Sequence, residues 1–125
     1  MDFDKLMSPE QKMRIIQELV PGKQITLAHI IANPDEILYK KLGLDPQIEY
    51  SKSAIGILTL SPAETAIIAG DIAIKASGAQ LGFVDRFSGT VILTGTYSEV
   101  EASLKAVTQY AEETLGFTVC KITKT

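Results

Sequence analysis

The chain contains no tryptophan, a single cysteine and a single histidine in 125 residues. Cys120 on its own excludes an internal disulfide, and no Cys-x-x-Cys pair or Cys/His cluster supplies metal-ligand spacing. The lack of disulfides fits a reducing cytoplasm. Long apolar runs are also missing. The most apolar stretch, residues 66–76, is broken by Asp71 and Lys75 and falls far short of the ~20 residues a membrane helix needs. The start, Met1-Asp-Phe-Asp-Lys5, is acidic and lacks an apolar h-region, so no secretory signal is expected. A net charge of −3, evenly spread and with no basic patch among aromatics, argues against nucleic acid as a partner. No cofactor is expected.

What is present suits one domain with its own core. Hydrophobic residues make up 46% of the chain and charged residues 22%, so some apolar surface is expected to face another subunit. Helix starts are marked by an N-cap residue followed three positions later by Glu or Gln. Four segments carry this signature ahead of an expected helix: Ser8-Pro-Glu-Gln11, Asn33-Pro-Asp-Glu36, Ser61-Pro-Ala-Glu64 and Ser98-Glu-Val-Glu101. Helices are predicted from Asn33 to about Leu42, from Ser61 to about Ser77 and from Ser98 to Leu115, with Gly43, Gly78 and Gly116 as stops. The second is apolar almost all round, which predicts cover on more than one side. The third carries a stripe of Val100, Leu104, Val107, Ala111 and Leu115.

Strands are predicted over 24–31, 54–60, 80–87, 90–96 and 117–123, with Ser88-Gly89 as a tight hairpin between the third and fourth. From Ala54 onward the order is βαββαβ, an α/β (α+β) ferredoxin-like core with both helices on one face of an antiparallel sheet. A strand–helix unit at 24–43 precedes it, and residues 44–53 form a joint. Residues 13–20 read equally as a helix face or, over 14–20, as a strand ended by Pro21-Gly22.

No catalytic arrangement emerges. Gly22-Lys23 fails as a phosphate loop, because Gln17 stands where another glycine is needed and Gln24 where Ser or Thr is needed. His29 shares a strand face with Ile25, Leu27 and Ile31, and no nucleophile or carboxylate is recognisably placed around it. Cys120 reads as a small buried hydrophobe. Asp71 and Lys75 have the spacing of a helical ion pair, with an interface role comparably open. Asp85-Arg86 reads as a surface or intersubunit pair, with a small-anion site as the lesser reading.

Several segments together resemble the circularly permuted shell proteins of bacterial microcompartments, the BMC domain family. They are Ile15-Ile-Gln-Glu-Leu-Val-Pro-Gly-Lys-Gln24, Thr26-Leu-Ala-His29 with Asn33-Pro34, Ala54-Ile-Gly-Ile57, Ala69-Gly-Asp-Ile-Ala73, Gly82-Phe-Val-Asp-Arg-Phe-Ser-Gly89 and Cys120-Lys-Ile-Thr123. The likeness is greatest to the small permuted shell proteins of propanediol, ethanolamine and choline utilisation organelles. It implies one permuted BMC shell domain over 14–125, behind an N-terminal extension at 1–13. The strand and helix that end the unpermuted domain come first in such proteins.

The resemblance further implies a non-enzymatic homohexamer in a microcompartment shell of the bacterial cytoplasm. Its partners would be other shell proteins and the targeting peptides of encapsulated enzymes. An axial barrel strand is implied at Arg14, Ile15, Ile16, Gln17, Glu18 and Leu19. Lys75, Asn33 and Pro34 are implied at the tile edge, and Asp85, Arg86, Phe87, Ser88 and Gly89 in a hairpin near the pore. The competing reading is a regulatory oligomer that binds a small metabolite between ferredoxin-like subunits.

Overall fold

The computed structural model describes residues 22–46 and 53–125. The element order is β1 (Gln24–Ile31), α1 (Ile37–Lys41), β2 (Ala54–Ser61), α2 (Thr65–Ala76), β3 (Gln80–Asp85), β4 (Thr90–Gly95), α3 (Tyr97–Glu113), β5 (Thr118–Val119) and β6 (Thr123–Lys124). The expected helix start at Ser8 and the barrel strand Arg14–Leu19 lie outside the described residues, as do 47–52 of the joint.

The strands run β3-β4-β2-β1-β5 across one sheet, with β6 also on β1. The four longer strands pair antiparallel, while β5 and β6 run parallel to β1. In a ferredoxin-like core the last strand would lie beside β2, antiparallel to it. Here β1 holds that place along its whole length. The predicted strand over 117–123 is therefore corrected to two short bridges outside β1, because the long inner position is already filled.

Period-two alternation sends the two faces of the sheet to different cores. Ile25, Ala28, Ile30, Leu58, Val91 and Leu93 pack under α2 and α3. On the other face Ile55 and Ile92 meet Tyr39 and Leu44 at the end of α1. Gly56 lets α3 approach closely, since a Cβ there would lie 2.6 Å from Val100 Cγ1. A register shift between Ile25 and Leu27 corrects the expected face of His29. Ile25 turns inward with Ala28 and Ile30, and His29 stays on the opposite face.

The caps also differ from expectation. The box at the start of α3 is Thr96/Glu99: Thr96 Oγ1 accepts the Glu99 N–H at 3.2 Å and Glu99 Oε1 accepts the Thr96 N–H at 2.9 Å. Thr96 has the extended backbone an N-cap requires, whereas Ser98 is already helical. Helix α2 starts at Thr65 without a side-chain cap, and Ser61 belongs to β2. Before α1 it is Asp35, not Asn33, that accepts the Ile37 N–H, at 3.1 Å. Gly43 (φ 70°) and Gly116 (φ 73°) are left-handed stops. Gly78 is not, because α2 ends at Ala76 with Ser77 extended.

Candidate assembly interface

Helix α2 is built inside out for a lone chain. Its small residues Ala66, Ala69, Gly70 and Ala73 are buried, while Ile67 is 54% and Ile74 43% exposed, with Ile68 exposed as well. Small inward residues bring the helix close: a Cβ on Gly70 would lie 3.1 Å from Val84 Cγ2. Its C-terminal end is tied to α3 through hydroxyls. Ser103 Oγ donates to Ala73 O at 2.7 Å and Ser77 Oγ to Glu99 O at 2.8 Å. That tie fixes which face of α2 turns outward.

Ile67 and Ile74 border a groove of about 560 Å³ between α2 and β3. Ile67, Gly70, Ile74, Leu81, Val84 and Phe87 give it an apolar lining, with Asp71, Asp85 and Arg86 among its walls. Among the described residues β3 pairs only with β4, so the groove lies along an open sheet edge. Apolar side chains beside an unpaired edge are what a second chain covers.

At one end of the groove stands the β3–β4 hairpin. Its loop is the four residues 86–89, not the expected two, because the Asp85 side chain ends the strand early. Asp85 Oδ1 accepts the Phe87 N–H at 2.8 Å, and Oδ2 accepts the Ser88 hydroxyl at 2.8 Å. The Phe87 N–H, then the Ser88 hydroxyl and N–H, hold the Asp85 carboxyl below its ordinary range. The Arg86 guanidinium lies 5.0 Å from the Phe87 ring centroid, and Phe87 is 82% exposed. Gly89 sits at φ 76°, and its carbonyl accepts the Leu60 N–H at 2.8 Å. A Cβ there would strike Leu60 O, so only glycine fits.

Topology separates the remaining expected positions from this hairpin. Gln24 pairs with Ser61 and Asp85 with Thr90 at the hairpin end, while Ile31 pairs with Ile55 and Gln80 with Thr94 at the other. Lys75 is in the last turn of α2, roughly 15 Å along the helix from Thr65 at 1.5 Å per residue. Asn33 and Pro34 follow the end of β1. All three therefore lie at the end away from the hairpin. Lys75 is exposed and bonds Asp71 at 2.8 Å, the intrachain pair that the spacing predicts.

His29 meets two threonine hydroxyls of the C-terminal segment. Its Nδ1 lies 2.6 Å from Thr123 Oγ1 and its Nε2 2.9 Å from Thr125 Oγ1, so the ring clasps the C-terminal segment to β1. Sequence reasoning missed these two threonines, although their alternation in Thr123-Lys-Thr125 was a signal. Cys120 is half-buried against the main core. Sequence reasoning also missed the contact of the Ser77 and Ser103 hydroxyls, 2.8 Å apart, for which isolated serines give no pattern.

The BMC domain family model matches residues 54–123. Bacterial microcompartment shell protein PduU of Salmonella typhimurium is 56% identical over 112 residues, covering 90% of this chain and 93% of its own. Bacterial microcompartment shell protein EutS of the same organism is 51% identical over 113 residues, covering 90% and 97%. Among solved structures, the CutR flat hexamer superposes with a TM-score of 0.77 at 50% identity, covering 90% of this chain and 99% of that one.

Proposed function

Because the chain belongs to the BMC-domain family, among its small permuted shell proteins, we propose that it is a structural tile of a bacterial microcompartment shell. Six copies form a closed ring, rings meet at their edges, and the copies catalyse no reaction. The observation that carries this reading is the outward isoleucine face of α2 beside the open β3 edge, which a lone chain leaves in water. A ring made by one repeated head-to-tail contact covers that face in every copy. The hexameric state of the related CutR supplies the number.

The place of β1 beside β2 supports the permuted order, in which a strand made first fills the position of a core's last strand. The axis is at the hairpin 85–89 and the tile edge at Lys75, Asn33 and Pro34. These groups lie at opposite ends of the sheet, as a centre and a rim must. The chain enters β1 at the hairpin end, the end that the barrel reading requires. There six copies close a small barrel that pairs every strand and leaves no edges. The setting is an organelle of the propanediol, ethanolamine or choline utilisation kind in the bacterial cytoplasm. Partners are the other shell proteins and the targeting peptides of enclosed enzymes.

Sedimentation and electron microscopy of the purified protein test the ring. Six-fold particles that grow into sheets are expected, and a 13.5 kDa monomer at micromolar concentration overturns it. Amide exchange tests the barrel separately: protection is expected across Ile15–Leu19, and random-coil rates within a hexamer rule it out.

A further inference from the structure

A ring built from one repeated head-to-tail contact needs two different surfaces on each copy, and the groove is only the first. We infer that the second is the segment Val119-Cys120-Lys121-Ile122, whose Val119, Cys120 and Ile122 enter the axial half of the next copy's groove, near Ile67, Val84 and Phe87. This rests on the hexamer reading and deepens it by naming what fills the groove.

Sheet order provides the first argument. The groove lies on the β3 edge, flanked by α2, whereas β5 and β6 lie at the far edge beyond β1, flanked by α3. With the hairpin end toward the axis in every copy, these edges are the two sides of each wedge, and adjacent copies meet through one of each.

Distance from the axis provides the second. Two groups in contact lie at the same radius, so the rows of the sheet must match across the joint. Val119 pairs with Ile25, the Cys120 N–H donates to Ile25 O at 3.1 Å, and Thr123 pairs with His29. Followed across the sheet, His29 stands opposite Ile57, Ile57 opposite Ile92 and Ile92 opposite Phe83. Residues 119–122 therefore occupy the rows from the hairpin base to about Phe83, which are the rows of Val84 and Asp85.

Chemistry provides the third. Val119, Cys120 and Ile122 are only half-buried and border a shallow hollow against α3 that also takes in Lys105, Glu112 and Glu113. Apolar carbon thus faces apolar carbon. Lys105 and Lys121 come toward a groove holding Asp71 and Asp85, and the α3 carboxylates toward Arg86. Opposed signs at the rim of an apolar contact set its register.

The single native cysteine makes this testable in the whole chain. Ile67→Cys is treated with a short bis-maleimide beside native Cys120 and run on a denaturing gel. A ladder reaching six chains is expected. The wild-type protein, with Cys120 alone, should stay monomeric on the gel, because a head-to-tail contact keeps equivalent residues apart. Ile37→Cys, on α1 and away from the groove, should give no ladder. A variant that sediments as a hexamer yet gives no ladder from Ile67→Cys or Phe87→Cys overturns the pairing and leaves the ring standing. So does a ladder from Ile37→Cys. A wild-type monomer overturns the ring itself. Thiol labelling needs no variant: Cys120 should react on the order of tenfold or more slowly in the wild-type hexamer than in urea, and equal rates overturn the pairing.

Discussion

Ile67→Asp should dissolve the ring and spare the subunit. In the lone chain Ile67 is 54% exposed, so its remaining burial is left for a neighbour. Fully burying such a side chain stabilises by about 1.5–3 kcal/mol, which leaves roughly 1 kcal/mol for each intersubunit contact. An aspartate there loses that term and adds the desolvation of a carboxylate, several kcal/mol when no partner is placed for it. A total near 4 kcal/mol weakens each contact by about a thousandfold.

The fold should hardly notice. Position 67 is the third residue of α2, where a negative charge favours the helix dipole and offsets a small propensity loss. Sedimentation velocity at micromolar protomer, with circular dichroism alongside, reads both quantities. A small species with wild-type helix content is expected, while Ile37→Asp, at an equally open position (52% exposed) on α1, should remain hexameric. An Ile67→Asp hexamer, or a variant that loses its helices, would refute the reasoning.

Lys75→Ala should leave the hexamer intact and weaken lateral sheets seen by electron microscopy, because its exposed pair with Asp71 contributes only a few tenths of a kcal/mol to the helix; a dissociated ring would place the lysine elsewhere. Asp85 has a lowered carboxyl pKa, so its hold on the hairpin is present above the ordinary carboxylate range and is lost only as pH falls through the depressed value. A carbon-detected titration of its carboxyl should therefore have its midpoint below that range, and Asp85→Asn should remove the matching shift of the Phe87 amide. Gly56→Ala should cost about 1–3 kcal/mol by overpacking, since β-branched Val100 cannot easily turn aside in a helix. Val100→Ala in the same chain should recover part of that loss in urea unfolding at fixed protomer concentration, and strict additivity would count against the close approach.

Local signals carried much of the fold. Gly43 and Gly116 mark helix ends because nothing else adopts their backbone cheaply, and the composition of α2 announced a helix with two apolar sides. The failures arise where distant pairing decides. Thr96-x-x-Glu99 and Ser98-x-x-Glu101 both match a capping box, and only the point where β4 lets go of the sheet selects the first. The bulge after Ile25 turns the alternation of β1 over, which no period count on the strand could reveal. The place of β1 in the sheet depends on its match to β2, some thirty residues on. Within the candidate interface, the isoleucines were legible as excess apolar surface. The groove they share with Leu81 and Val84 requires knowing that β3 is an edge.

The clasp between His29 and Thr125 joins residues 96 positions apart, and the amide of Thr118 bonds the carbonyl of Lys23 across a similar span. Such contacts close late, because a long loop must be drawn in before any pairing rewards it. During synthesis β1 and β2 can pair early, yet the outer flank of β1 waits for residues that leave the ribosome after α3. A nascent chain therefore exposes its isoleucine helix before residues 118–125 complete the outer flank of β1.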